Sequence, residues 1–201
     1  PVRTTLHFFA RRAAVVVGVP LLWASVTLLL LSPWMEAEAA LDVEQLELVW
    51  YDDFKGGAVD WDRWIVDEGD GCDVSLCDWG NGEKQYYRSE NAQVANGVLT
   101  ITAKKEDYSS RQEALFYTSS KLTTKNKFSF RYGRAEARIR LPPGGQGLWP
   151  AFWMMPQDNV YGTWAASGEI DIFESRNNFT EVVNNLNFGK GNTGGSRGKG
   201  K

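Results

Sequence analysis

From about residue 40 onward, apolar and polar positions alternate along most of the chain. Val98-Leu99-Thr100-Ile101-Thr102-Ala103 alternates. Gly133 to Leu141 places Ala135, Ala137, Ile139 and Leu141 on one face and Arg134, Glu136, Arg138 and Arg140 on the other. A two-residue period marks a strand with one buried face, and no stretch carries the period of an amphipathic helix. Asn96-Gly97, Tyr132-Gly133 and Pro142-Pro143-Gly144-Gly145 interrupt the strands at short intervals. The pattern therefore predicts an all-β fold, an antiparallel β-sandwich or jelly roll. No internal repeat is visible.

Both ends depart from this pattern. Residues 1–12 carry Arg3, Arg11 and Arg12 and no acid, Ala13 to Leu31 runs without a charge, and Ala37-Glu38-Ala39 has the small-x-small form that signal peptidase accepts. Residues 1–39 are read as a cleaved secretory signal. The apolar run is long for one, so an uncleaved signal anchor is the alternative despite Pro20. Either reading places the remaining domain, residues 40–188, outside the cell: secreted, or membrane-anchored and facing outside, with membrane contact only through an uncleaved N-terminal segment. Residues 189–201 combine glycine and basic residues with no apolar side chain. Such a segment buries nothing and is expected to be a disordered tail.

Composition narrows the chemistry. The 201 residues hold 22 Lys+Arg against 25 Asp+Glu, for a net charge of -3, and no basic stripe of the kind that neutralises phosphates, so nucleic acid is not an expected partner. The single histidine, His7, lies in the leader. The working domain therefore lacks Ser-His-Asp and Cys-His catalysis and His-ligated metal sites, and two cysteines are too few for a thiolate zinc site. Cys72 and Cys77 sit in a Gly/Asp-rich loop, at a spacing that suits a structural disulfide in an oxidising compartment better than a redox pair. Asn178-Phe179-Thr180 is a glycosylation sequon.

The chemistry left to such a domain is that of carboxylates, and one strand concentrates them. In Gly168-Glu169-Ile170-Asp171-Ile172-Phe173-Glu174-Ser175, alternation puts Glu169 and Asp171 on one face, with Ile170 and Ile172 entering the core behind it. A β-bulge at Phe173 would return Glu174 to the face of the other two acids. Three carboxylates with no nearby Lys or Arg would push one another's pKa values apart. That separation is what glycoside hydrolysis requires, with one ionised carboxylate and one protonated. The plainer reading is a solvated acidic strand face. A second stretch, Leu148-Trp149-Pro150-Ala151-Phe152-Trp153-Met154-Met155-Pro156, sets Trp149, Ala151 and Trp153 on one face, leaving a slot between two indoles that suits the C–H face of a sugar ring. Core packing is the alternative for any single tryptophan.

Taken together, W-P-A-F-W-M-M-P followed by S-G-E-I-D-I-F-E resembles glycoside hydrolase family 16, in particular its laminarinase-like endo-β-1,3-glucanases. Leu48 to Phe54, Trp79 to Tyr87, Ser119 to Thr124 and Tyr132 to Arg138 fit the same family. The resemblance runs over about residues 46 to 189. It implies a concanavalin A-like jelly roll with glucan in its concave cleft, and retaining endo-hydrolysis of β-1,3-glucan. Glu169 matches the nucleophile, Asp171 the assisting acid and Glu174 the acid/base. Asn81, Arg88, Trp149, Trp153 and Trp164 match positions lining the sugar cleft, with rim packing the alternative for Trp164. The resemblance implies no required cofactor and no catalytic metal, allows a structural calcium on the convex face, and makes a polysaccharide the partner of a monomeric protein.

Two departures from the family stand out. Where the family commonly places a histidine in the strand after the catalytic one, this chain has Asn187, which can hydrogen-bond a substrate but not carry charge. Family domains also continue for several strands past residue 189, so the jelly roll is expected to be incomplete at its C-terminal end. Alternatives to a laminarin hydrolase are a non-catalytic β-glucan recognition module, a transglycosylase, and a hydrolase of mixed-linkage glucan or algal galactan.

Overall fold

The structure, a computed structural model, describes residues 6–10, 46–109, 114–189 and 195–200, with side chains described for 46–108 and 116–189. The described elements are β1 (Leu6–Ala10), β2 (Glu47–Asp52), β3 (Ile65–Val66), β4 (Gln85–Tyr87), β5 (Ala92–Ala95), β6 (Val98–Ile101), β7 (Lys104–Ser109), β8 (Ala114–Ser119), β9 (Leu122–Thr123), β10 (Gly133–Ala137), β11 (Ala151–Met154), β12 (Glu169–Glu174), β13 (Val183–Phe188) and β14 (Gly195–Gly200), with three short 3-10 turns. Among the described residues no helix is long and apolar enough to cross a membrane.

The strands form the sheets β10-β1-β2, β11-β12-β13-β14, β4-β8-β7 and the pairs β3-β9 and β5-β6. All of these ladders are antiparallel except β4-β8, which is parallel. The β5-β6 hairpin closes on Asn96-Gly97, both at positive φ (55° and 73°), as a two-residue turn matched to strand twist requires. The alternation expected through Leu141 yields a strand only as far as Ala137.

Phe54, Val59, Trp64, Ala92 and Val94 form the buried core, with Trp50, Leu99, Leu122, Ala137 and Phe152 packed against it. Residues from β2, β5, β6, β9, β10 and β11 thus meet in one layer between sheets. Asp52 is buried beside this core, where its carboxylate accepts the Phe54 N–H and the Trp64 indole N–H, each at 2.8 Å. A charge taken from water needs such donors.

One expectation is corrected at the C-terminal end. Residues 195–200, read as disordered tail, form β14, an edge strand in register with the whole of β13 from Val183↔Gly200 to Phe188↔Gly195. A ladder is made of main-chain N–H and C=O groups, so an edge strand needs no apolar side chain. Residues 190–194 and 201 lie outside the described residues, as do 1–5 and 11–45 with the cleavage site expected after Ala39. The backbone of Leu6–Ala10 is β1, between β10 and β2.

Candidate active site

The site is built on β12, between β11 and β13. Gly168, at φ 88°, turns the chain into the strand in a conformation that L side chains rarely adopt. Asp171 lies opposite Trp153 on β11 and Asn185 on β13, whereas Glu174 lies opposite Ala151 and Val183. Over that interval β12 takes three steps while each neighbour takes two. The expected bulge is therefore present, spread over Ile172 and Phe173: Phe173 pairs with Phe152 and leaves Ile172 as the additional residue. The Asn184 amide donates to the Ile172 carbonyl, giving the bulged backbone a partner. The bulge brings Glu174 onto the side of Glu169 and Asp171.

Each glutamate is held by an indole. Trp164 donates its Nε1–H to Glu169 Oε2, and Trp149 donates its Nε1–H to Glu174 Oε1 at 2.9 Å. Asp171 is buried and accepts from the Asn187 amide at 3.0 Å, and Asn187 in turn accepts from Asn185 at 3.0 Å. Burial, and then the hydrogen bond with Asp171, push the Glu169 carboxyl up to about 7, against the opposing pull of the Trp164 N–H. Asp171 Oδ1 is buried without a fixed donor, and a proton shared with Glu169 would supply one. Burial followed by the charge of Asp171 also raises Glu174, while the Trp149 hydrogen bond and Arg176 lower it.

Two readings of this strand need correction. Ile170 does not enter the core: it is 44 % exposed, opposite Leu186 at 47 %. The back of this part of the sheet is open among the described residues, and only Ile172 and Phe173 join Ala137, Ile139, Leu141 and Phe152 around an apolar hollow of about 330 Å³. Nor are the acids without a nearby cation, since Arg176 acts on Glu174.

The remaining expected residues divide into two groups. Trp149, Trp153, Trp164 and Asn187 gather around the β12 acids, with the three indoles between 36 and 46 % exposed. Asn81 and Arg88 belong to another wall. Asn81 donates to Glu83 at 3.2 Å, while Arg88 pairs with Glu90 and Glu106 and lies over the Tyr108 ring.

Lys121, which the sequence reading passed over, joins the two walls. Its ammonium sits 3.3 Å from the Trp79 ring centroid and 5.9 Å from that of Trp153, and it pairs with Asp67 at 3.3 Å. Burial lowers its pKa, with Asp67 opposing. Glu83 was also missed, although it stands within the Trp79 to Tyr87 segment that fits the family. It accepts from Asn81, from Gln85 at 2.5 Å and from the Tyr87 hydroxyl at 2.7 Å. The Cys72–Cys77 disulfide is formed and closes the loop leading to Trp79. Among the described residues, no group of three or more His, Cys, Asp or Glu side chains is arranged to hold a metal ion.

The family pattern of "Glycosyl hydrolases family 16" matches residues 80–200, a span holding β12, both indole donors and β14. The chain belongs to this family. It is 41% identical over 152 residues to "Glucan endo-1,3-beta-glucosidase A1" of Niallia circulans, covering 72% of this chain and 22% of that protein. It is 47% identical over 134 residues to "Beta-glucanase" of Rhodothermus marinus, covering 64% of this chain and 43% of the relative. Among solved structures, the catalytic domain of an endo-1,3-beta-glucanase (laminarinase) from Thermotoga petrophila RKU-1 superposes with a TM-score of 0.67 at 38% identity, over 77% of this chain and 62% of the other. The family-16 sandwich described here thus spans less than two thirds of the length of these relatives, and within that span it has the β-sandwich jelly-roll fold expected from the sequence.

Proposed function

We propose that this family-16 chain carries the catalytic strand of a retaining endo-β-1,3-glucanase acting on laminarin-type glucan. The observation that carries the reading is the bulged β12, which presents Glu169, Asp171 and Glu174 to one side with an indole N–H on each glutamate. In this reading a Glu169 carboxylate oxygen attacks the anomeric carbon, and the bond from that carbon to the bridging oxygen breaks. Glu174 gives its proton to the departing oxygen. The glycosyl ester on Glu169 is then opened by water, which loses a proton to Glu174, so two inversions leave the anomeric configuration unchanged.

Asp171 keeps its hydrogen bond with Glu169 and so holds that carboxyl in place for the attack. Trp153 offers a flat face to the sugars, and the chemistry calls for no cofactor. A role in an extracellular setting agrees with the disulfide.

The test is hydrolysis of laminarin by the full chain, with released reducing ends and their anomeric configuration followed by NMR. Short oligosaccharides of retained configuration, abolished in Glu169→Gln, are expected. Inverted product, or undiminished turnover in Glu169→Gln, overturns the proposal. Laminarin binding with no turnover in the unaltered chain would replace it with a recognition module.

A further inference from the structure

We propose that Arg176 is a positioning residue for Glu174, acting through Trp149. The inference rests on the reading of Glu174 as the acid/base. Beyond the end of β12 the pairing with the segment before β11 continues: Ser175 N–H donates to Pro150 O at 3.2 Å and Asn177 N–H to Leu148 O at 2.8 Å. Since Glu174 is opposite Ala151, this register sets Arg176 level with Trp149. Alternation then places Glu174, Arg176, Ala151 and Trp149 on one face.

The small Ala151 leaves room for the Trp149 indole to lean diagonally back and donate to Glu174 at 2.9 Å. Diagonal partners across a ladder are within reach of an aromatic side chain. The Arg176 guanidinium lies 4.0 Å from the Trp149 ring centroid, so it covers one face of the indole. Ser175, 1 % exposed, anchors the segment by donating its hydroxyl to Glu181 O at 2.5 Å. Arg176 thus follows a buried anchor and comes from a segment hydrogen-bonded to the strand that carries Trp149.

Two consequences separate this role from a bland surface cation. A ring face covered by guanidinium is closed to sugar, so Trp149 serves the carboxylate more than the substrate, unlike the platform role expected from the sequence. The positive charge also stands near Glu174 and lowers its pKa, against burial and Asp171. The carboxylates of Asp171 and Glu169 and the indole of Trp149 are the other groups that face Glu174 from the packed strands.

The experiment compares Arg176→Ala and Arg176→Lys with the unaltered full chain. Laminarin turnover should fall about 2- to 5-fold in kcat for Arg176→Ala, the worth of an exposed cation–π contact, with KM little changed. The Glu174 carboxyl titration, followed by 13C NMR without substrate, should move up in Arg176→Ala and stay near its original position in Arg176→Lys. In a Trp149→Phe background, Arg176→Ala should cause no further fall in kcat. Thermal melts identify any variant that has lost its fold, for which Arg176→Gln is the replacement. An unmoved Glu174 titration, or a kcat loss that adds fully to that of Trp149→Phe, overturns the proposal. Failure of the underlying reading looks different: Glu174→Gln would then hydrolyse laminarin as fast as the unaltered chain.

Discussion

The two ends of β12 carry the same side chain and the same kind of donor in different surroundings. Glu169 is flanked by buried Asp171 and the Trp164 indole, and its carboxyl is pushed up to about 7. Glu174 receives the Trp149 indole and has the Arg176 cation nearby, which works against its burial. Burial raises both carboxyls first and Asp171 adds to each, but only at Glu174 does a cation oppose them. Identical residues one short strand apart thereby stand in different electrostatic surroundings.

The sharpest way to break the comparison is to neutralise each end in turn. Glu169→Gln should lower laminarin hydrolysis by about 10⁴-fold or more, and should do so on every substrate, because no other group supplies the attacking oxygen. Glu174→Gln should cost about 10²- to 10⁴-fold on laminarin. It should cost far less on an aryl β-glucoside whose leaving group departs without protonation. Equal losses on both substrates for both variants, measured by initial rates, would show that the ends do not differ in role.

A smaller change tests what sets the Glu169 end apart. Asp171→Asn removes the charge and the shared proton, so the Glu169 titration should move down from about 7, read by 13C NMR. The accompanying kcat/KM loss should be about 10- to 100-fold, the worth of a hydrogen bond to a charged group. The indoles come next. Trp164→Phe should raise the Glu169 titration and Trp149→Phe that of Glu174, since each N–H stabilises the ionised form. Either variant should lose about 10-fold in kcat. A crossed result, with either variant moving the other glutamate, would break the pairing.

The smallest expected effect is on stability. Between the ordinary glutamate value of 4.5 and about 7 the folded chain holds a proton on Glu169 that the unfolded chain releases. Stability from this group is therefore complete below about pH 4.5 and lost as pH rises through about 7. Glu169→Gln should remove that loss. Its melting temperature relative to the unaltered chain should be higher at pH 8 than at pH 5, by about 2 °C. The same difference at both pH values would mean that Glu169 is not held near 7.

Much of this was legible in the chain. The acids, the bulge and the Trp149–Trp153 slot followed from a two-residue period and one misplaced glutamate, because strand alternation is local geometry, whereas Trp164 came only from the family resemblance. Lys121 was not legible. Nothing around it in the chain predicts that its ammonium will lie over Trp79 and near Trp153, since those contacts depend on how β9 and β11 are brought together. β14 was misread because composition reports what a segment can bury, whereas an edge strand is held by its backbone. Arg176 lay two residues from Glu174, and its position level with Trp149 comes from a register with another strand.

Local chemistry in the chain thus settled that carboxylates crowd one strand face, because side-chain direction along a strand follows from residue count alone. Which of those carboxylates is buried with a partner acid and which lies near a cation was decided only by tertiary structure. Burial, the diagonal reach of an indole and the distance to a guanidinium depend on which strands become neighbours and in what register, and no run of consecutive residues contains that information.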